Sequence, residues 1–305
     1  IDQRHHIIKQ DQVYKMTIIY SLILIVFTLA INLHGIPIEK DSFQRQRSFE
    51  EIGGYFQGDI RIPQLTRSVA VVGDYVRWPG GVVPYTISSD YSTADRNIII
   101  NAMRTLESLA AVNNVLCVQF RDKIDSDGQY YIMIQNGVGC SAYVGRYTGV
   151  TFDRIVTLQN PGCLDTATIM HELMHVLGNT IRFDHEQTRP DRNNYVQIIW
   201  ANIIPDQQHN FNQYSASDVN TLNTPYDYGS LMHYPRNYFS VNGGDTIVPL
   251  NSSITIGQRS TLSQYDIQAV RTFYGCSAAP TTTTTTKPAI TTTKTPTTTK
   301  RPRGG

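Results

Sequence analysis

The chain has 305 residues, 40% of them hydrophobic, and a formal net charge of +1. That is enough apolar material for one packed domain of about 200 residues with flanks, or for two small domains. The even charge balance excludes a dedicated nucleic-acid binder, which would carry a clear basic excess.

Residues 1–15 are polar and read as upstream or untranslated residues ahead of Met16. Residues 16–35 hold an apolar run of about 15 residues without a charge, TIIYSLILIVFTLAINLHG with its flanks. A bilayer span needs about 20 residues. The run is therefore read as a secretory signal peptide rather than an anchor. The protein is expected to be secreted and extracellular, with no membrane association after signal removal. Residues 36–67 are polar, contain KDSFQRQRSFEEIGGYFQGDIRIPQLTR, and read as a pro-segment, with a linker as the plainer alternative.

Residues 68–276 have the composition of a folded domain. VVPYTI, Val82 to Ile87, reads as a strand. Ser92 or Thr93 caps a helix starting near Ala94, whose Ile99, Met103, Leu106 and Ala110 share one face. Cys117 to Phe120 and Tyr130 to Ile134 are β-rich runs. A second helix is predicted from Thr166 to Leu177, and mostly loops after it. A last helix is predicted from Ser263 to Phe273, with Ile267, Val270 and Phe273 or Tyr274 inward. Residues 277–305 are mostly Thr, Pro and Lys and cannot bury a core, so they read as a disordered, O-glycosylated stalk. The four cysteines form no CxxC knuckle and imply two disulfides, with three connectivities open. Asn251-Ser252-Ser253 is a candidate N-glycan acceptor.

The chemistry concentrates in HELMHVLG. His171 and His175 lie at i and i+4 on the second helix, so both imidazoles can reach one metal ion. Glu172 is offset round the helix and can reach a metal-activated water without ligating. Gly178 follows where a helix ends with positive φ. His185 and Glu186 come soon after, and YDYGSLMHY, with Met232 and Tyr234, lies downstream. Of the other histidines, His5, His6 and His34 fall outside the domain, His209 lacks metal-like spacing, and His233 reads as structural.

These stretches resemble the astacin family of metzincin zinc endopeptidases. The resemblance rests on HELMHVLG with FDHEQTRPDRNNYVQI, the SLMHY turn, RWPGGVVPYTI, GCSAYVGR and IGQRSTLSQYDI, and spans about Val69 to Cys276. The Thr-rich stalk suggests the nematode-like type. The resemblance implies an α+β, two-lobed metzincin domain, with a mixed sheet and two main helices in the N-terminal lobe and a loop-rich C-terminal lobe. It implies one zinc per catalytic domain, with His171, His175 and His185 as ligands and Tyr234 as an extra, displaceable one. Glu172 would be general base and then proton donor. Tyr234 would also stabilise the transition state, and Met232 would floor the metal. Glu186 would contact the mature N-terminus, after an activating protease cuts near Arg67. FQGD resembles the family's latency motif, so Asp59 would fill the open zinc position. The cysteines would pair as Cys117–Cys276 and Cys140–Cys163. Cys140 to Arg146 would be the cleft's edge strand, pairing with an extended protein or peptide substrate. Separately from the resemblance, the charge of Arg259 alone suggests a pocket beyond the scissile bond biased toward acidic residues.

One stretch departs from the family. His185 stands seven positions after Gly178, four more than the family spacing, the surplus being Asn179 to Arg182. Three readings compete. A true loop insertion costs little entropy but must leave an imidazole within about 2.1 Å of zinc. A helix one turn longer would carry the chain past the metal, and Gly178 argues against it. An error in assembling the coding sequence is the third, in keeping with the untidy start at Ile1. If the third ligand were lost, Tyr234 or Asp184 would have to replace it. The protein would then be a catalytically impaired, astacin-like binding protein, or a structural stalk protein. The intact Glu172 argues against both.

Overall fold

A computed structural model describes residues 46–63, 76–178, 184–217, 219 and 221–276. The expected signal peptide, the expected cleavage point at Arg67, Asn179 to Arg182 and the expected stalk lie outside the described residues, as does most of the stretch before Phe49.

Four helices are described: α1 (Phe49–Ile52), α2 (Thr93–Ala110), α3 (Thr166–Leu177) and α4 (Gln264–Tyr274). The strands are β1 (Ile60–Arg61), β2 (Val82–Ile87), β3 (Gln119–Asp122), β4 (Ile132–Gln135), β5 (Cys140–Tyr143), β6 (Arg154–Leu158), β7 (Val196–Ile198) and β8 (Ile247–Pro249). The first six form one sheet in the order β1-β5-β6-β4-β2-β3, while β7 and β8 pair as a two-stranded ribbon. Within the large sheet β5 is antiparallel to β6, and the remaining neighbours run parallel. This is the α+β, mixed-sheet architecture the resemblance implies.

Helix starts follow local chemistry. Ser92 caps α2 and Ser263 caps α4, each in a reciprocal capping box with an aspartate three residues on. Such a cap satisfies two otherwise orphaned N–H groups and contributes about 1 kcal/mol. The apolar face of α2, Ile99, Met103, Leu106 and Ala110, is buried as its spacing predicts. It packs with α3, the sheet and the inward face of α4 in one core. A second core of Phe211, Tyr226, Tyr234, Tyr238, Phe239 and Ile247 fills the C-terminal lobe. The disulfides are Cys117–Cys276 and Cys140–Cys163. The first ties the end of α4 back beside β3, so the chain's last helix belongs to the first lobe's core.

Several sequence expectations need correction. The strands expected at Cys117 to Phe120 and Tyr130 to Ile134 begin two residues later, at Gln119 and Ile132. Gly178 ends α3 with φ −88° and ψ 174°, an extended conformation rather than a left-handed one. Those angles do not require a glycine. The helix stops at Leu177, which removes the reading of an extra turn. The edge expected over Cys140 to Arg146 is the shorter β5, and β1 covers it.

The N-terminus of α4 also supports the turn beneath the site. Asp266 accepts hydrogen bonds from the Ser230 hydroxyl at 2.7 Å, the Leu231 N–H at 2.8 Å and the Ser263 N–H at 2.9 Å. Replacing Asp266 by Ala leaves those buried donors unsatisfied. We expect it to lower unfolding free energy by about 3 kcal/mol, measured by urea denaturation, whereas the exposed Gln268→Ala should change little.

Candidate metal centre

Among the described residues one cluster of side chains has the makings of a metal site: Asp59, His171, His175 and His185, all buried, with ligand atoms within 4.8 Å of one another. The histidines of α3 arrive from one helix face. His185 arrives from the loop further along the chain, and its Nε2 lies 3.3 Å from His171 Nε2. Asp59 Oδ2 is 3.2 Å from His171 Nε2, and Oδ1 is 3.5 Å from His175 Nε2 and 3.4 Å from His185 Nε2. A tetrahedral zinc ion with bonds of about 2.1 Å sets its ligand atoms about 3.4 Å apart, close to each of these separations. Asp59 Oδ1 has no hydrogen-bond partner, nor does either carboxylate oxygen of the buried Glu172. Buried, orphaned acceptors facing imidazoles fit a cation.

The electrostatics agree. Burial alone would raise the Asp59 pKa, but the charge of His185 and the close approach of all three imidazoles hold it well below the carboxylate range. Burial pushes His185 down to about 4, against the charge of Asp59, which pulls it up. Glu172 is pushed well up by burial, then by the charges of Asp59 and Glu50.

His185 is anchored from its C-terminal side. Glu186 N–H donates to Met232 O at 3.0 Å, and the Thr188 hydroxyl donates to His185 O at 2.7 Å. Glu186 accepts from the Asp227 N–H at 2.8 Å and pairs with Arg189 at 3.3 Å. The surplus at 179–182 therefore does not displace the third histidine. Asp184 is not in the cluster; burial raises its pKa to about 6, and Tyr214 hydrogen-bonds to it. Met232 is buried, under the site, in the main core. His171 Nδ1 pairs with Leu231 O, in the same turn, at 3.0 Å. Tyr234 packs its ring 4.5 Å from that of His185, and its hydroxyl donates to Gln57 O at 2.5 Å. His233 bonds to Tyr226 and to Tyr234 O, away from the cluster, and His209 sits in a 3-10 turn.

Residues 46–63 lie across the cleft. Asp59 reaches the histidines from a turn in which Gly58 takes φ +89°, and a Cβ there would press on Glu50 O and the Phe239 ring at 3.1 Å each. β1 then adds to β5 in parallel, pairing Ile60 with Ala142 and Arg61 with Tyr143. Upstream, Glu50 on α1 meets Arg259 at 2.8 and 3.2 Å. Arg259 also donates to Leu231 O and His233 O, beneath the cluster. Sequence reasoning missed Glu50 and Gln57. The signal for α1 was the capping box Ser48–Glu51, an S-x-x-E start visible in SFEE.

The sequence model of the astacin peptidase family matches residues 71–275. The chain belongs to the astacin family. It is similar to zinc metalloproteinase nas-4 of Caenorhabditis elegans, 35% identical over 235 residues covering 74% of this chain and 70% of that protein. It is also similar to high choriolytic enzyme 1 of Oryzias latipes, 41% identical over 198 residues covering 64% and 66%. The solved structure of that hatching enzyme matches with a TM-score of 0.59 at 37% identity, covering 68% of this chain and 98% of that one. As an astacin the chain is a zinc metalloendopeptidase, acting on protein or peptide substrates with one zinc ion. Among the described residues no helix is long and apolar enough to cross a membrane.

Metal analysis of the purified protein is expected to return one zinc per chain. His175→Ala should reduce bound zinc to well under one equivalent after dialysis.

Proposed function

We propose that the chain is made as a latent, secreted astacin, with Asp59 as the latch. His171, His175 and His185 hold the zinc, and Asp59 occupies the position that substrate and water need. The observation that carries this reading is one carboxylate within 3.5 Å of all three imidazole Nε2 atoms. The run after Met16 acts as the signal peptide. An activating protease cuts near Arg67, which frees the cleft and lets Glu186 exchange part of its present pairing for the new N-terminus. Asn251 is an exposed glycan acceptor, its amide oxygen taking the Ser253 hydroxyl at 2.7 Å.

With the pro-segment gone, an extended peptide pairs with the β5 edge that β1 now covers. Zinc bound at the site supplies Lewis acidity and lowers the pKa of a water to about 7. Glu172 takes the proton of the attacking water and passes it to the leaving amine. Tyr234, released from Gln57 O, donates its hydroxyl hydrogen to the oxyanion developing on the scissile carbonyl and serves as an extra, displaceable ligand between turnovers. Met232 keeps the floor apolar and dry. Arg259, freed from Glu50, receives an acidic side chain just beyond the scissile bond.

Two experiments test this reading. Glu172→Ala, in the activated protein, is expected to lower hydrolysis of a fluorogenic peptide by at least about 100-fold while zinc content stays at wild type. Asp59→Ala in the uncut precursor should raise hydrolysis. A silent precursor with full zinc would remove Asp59 as the latch. For specificity, Arg259→Gln should lower the kcat/KM ratio of acidic over neutral peptides by about 10- to 100-fold.

A further inference from the structure

Gln57 precedes the latch by two residues and is bonded through both its main chain and its side chain. It takes φ 49° in the tight turn closed by Tyr55 and Gly58. Its N–H donates to Asn210 Oδ1 at 2.9 Å, and its carbonyl accepts the Tyr234 hydroxyl at 2.5 Å. Its side chain turns the other way. Oε1 lies 2.9 Å from His185 Nδ1 and 3.4 Å from the His185 main-chain N, and Nε2 donates to the Tyr214 hydroxyl at 3.3 Å. Donation from Nε2 to Tyr214 assigns Oε1 as the acceptor facing His185, so the proton on that ring sits on Nδ1.

A ligating imidazole needs an acceptor for its second ring N–H. That acceptor fixes the tautomer, orients the ring and makes the metal-facing nitrogen a better donor. His171 has such a partner within the catalytic domain, Leu231 O, which stays after activation. His185 has a partner on the pro-segment, which leaves. The two ligands are thus held by supports of different lifetime.

We infer that Gln57 is a positioning residue for the third zinc ligand, and that the precursor holds its zinc more firmly than the activated enzyme because of it. The inference rests on the reading of the three histidines as zinc ligands. Gln57 keeps His185 in the tautomer whose Nε2 is free for the metal, and it does so without touching the metal. When the pro-segment departs, the Nδ1 hydrogen loses its acceptor. The polar groups left where Gln57 lay are Asn210 and the Tyr214 hydroxyl, itself bonded to Asp184. The pro-segment therefore does two jobs with neighbouring residues: Asp59 blocks the site, and Gln57 steadies it. This matters most at His185, because that ligand follows the lengthened stretch and has no helix beneath it.

The test is the rate at which zinc passes from the uncut precursor to an excess of a colorimetric chelator. Wild type is compared with Gln57→Met, which keeps the length but removes the acceptor, and Gln57→Glu, which keeps an acceptor. Asn210→Ala, which loosens the turn without touching His185, is the control for docking. Gln57→Met is expected to release zinc about 10- to 100-fold faster, in keeping with the loss of an outer partner of a metal ligand. Gln57→Glu and Asn210→Ala should release it at close to the wild-type rate. The activated enzyme should release zinc faster than the precursor. Equal rates for wild type and Gln57→Met overturn the inference. So do equally fast rates for Gln57→Met, Gln57→Glu and Asn210→Ala, which would mean the turn's docking alone matters. A wild-type precursor that carries no zinc overturns the metal-site reading itself and the inference with it.

Discussion

Everything in the cleft is arranged around one carboxylate buried against three imidazoles. An isolated carboxylate taken out of water is among the most expensive groups a fold can bury. Asp59 is tolerated only because three ring nitrogens converge on it, and the same convergence is what a divalent ion demands. The constraint runs both ways. α3 must present two histidines on one face, the loop after it must return a third, and the turn at Gly58 must deliver the carboxylate to their midpoint.

The segment of residues 46–63 is held by contacts of three kinds that reinforce one another. Glu50 gives a charge to Arg259, Asp59 a charge to the histidines, and β1 main-chain bonds to β5. Glu50 is nearly buried, and burial would keep it neutral, but Arg259 more than offsets that and holds it below its ordinary range. Arg259 is fixed in turn by the carbonyls of the turn that carries Met232. The segment therefore occupies the chemistry of a substrate, a side-chain pocket, a main-chain edge and the catalytic position, while offering a carboxylate where a substrate would offer an amide.

Much of this was legible in the residues. The i, i+4 histidines predict a shared helix face because helix geometry allows nothing else, and α3 has the bounds that its pattern suggests. Ser92 and Ser263 announce their helices by capping chemistry. The third histidine was harder. Its distance from Gly178 in sequence argued for trouble, while its place in space is set downstream, by Glu186, Thr188 and the Met232 turn. A length count cannot see anchors on the far side. Gly178 misled for a related reason: a glycine after a helix suggests a left-handed cap, but here Gly178 itself is extended. Gln57 and Glu50 left little local signal, since their partners lie more than a hundred residues away.

The parallel pairing of β1 with β5 has one more consequence. β5 is inner in the six-stranded order only while β1 is present; without it, β5 becomes the margin of the sheet. An unpaired margin exposes a row of N–H and C=O groups that will bond to any extended chain, another copy included. On the proposed reading, the strand that silences the enzyme thus also keeps the sheet from sticking. Activation as proposed would trade a chain that is safe to accumulate for one that is safe mainly when dilute or occupied, and the edge that would grip a substrate is the same surface that would seed a clump.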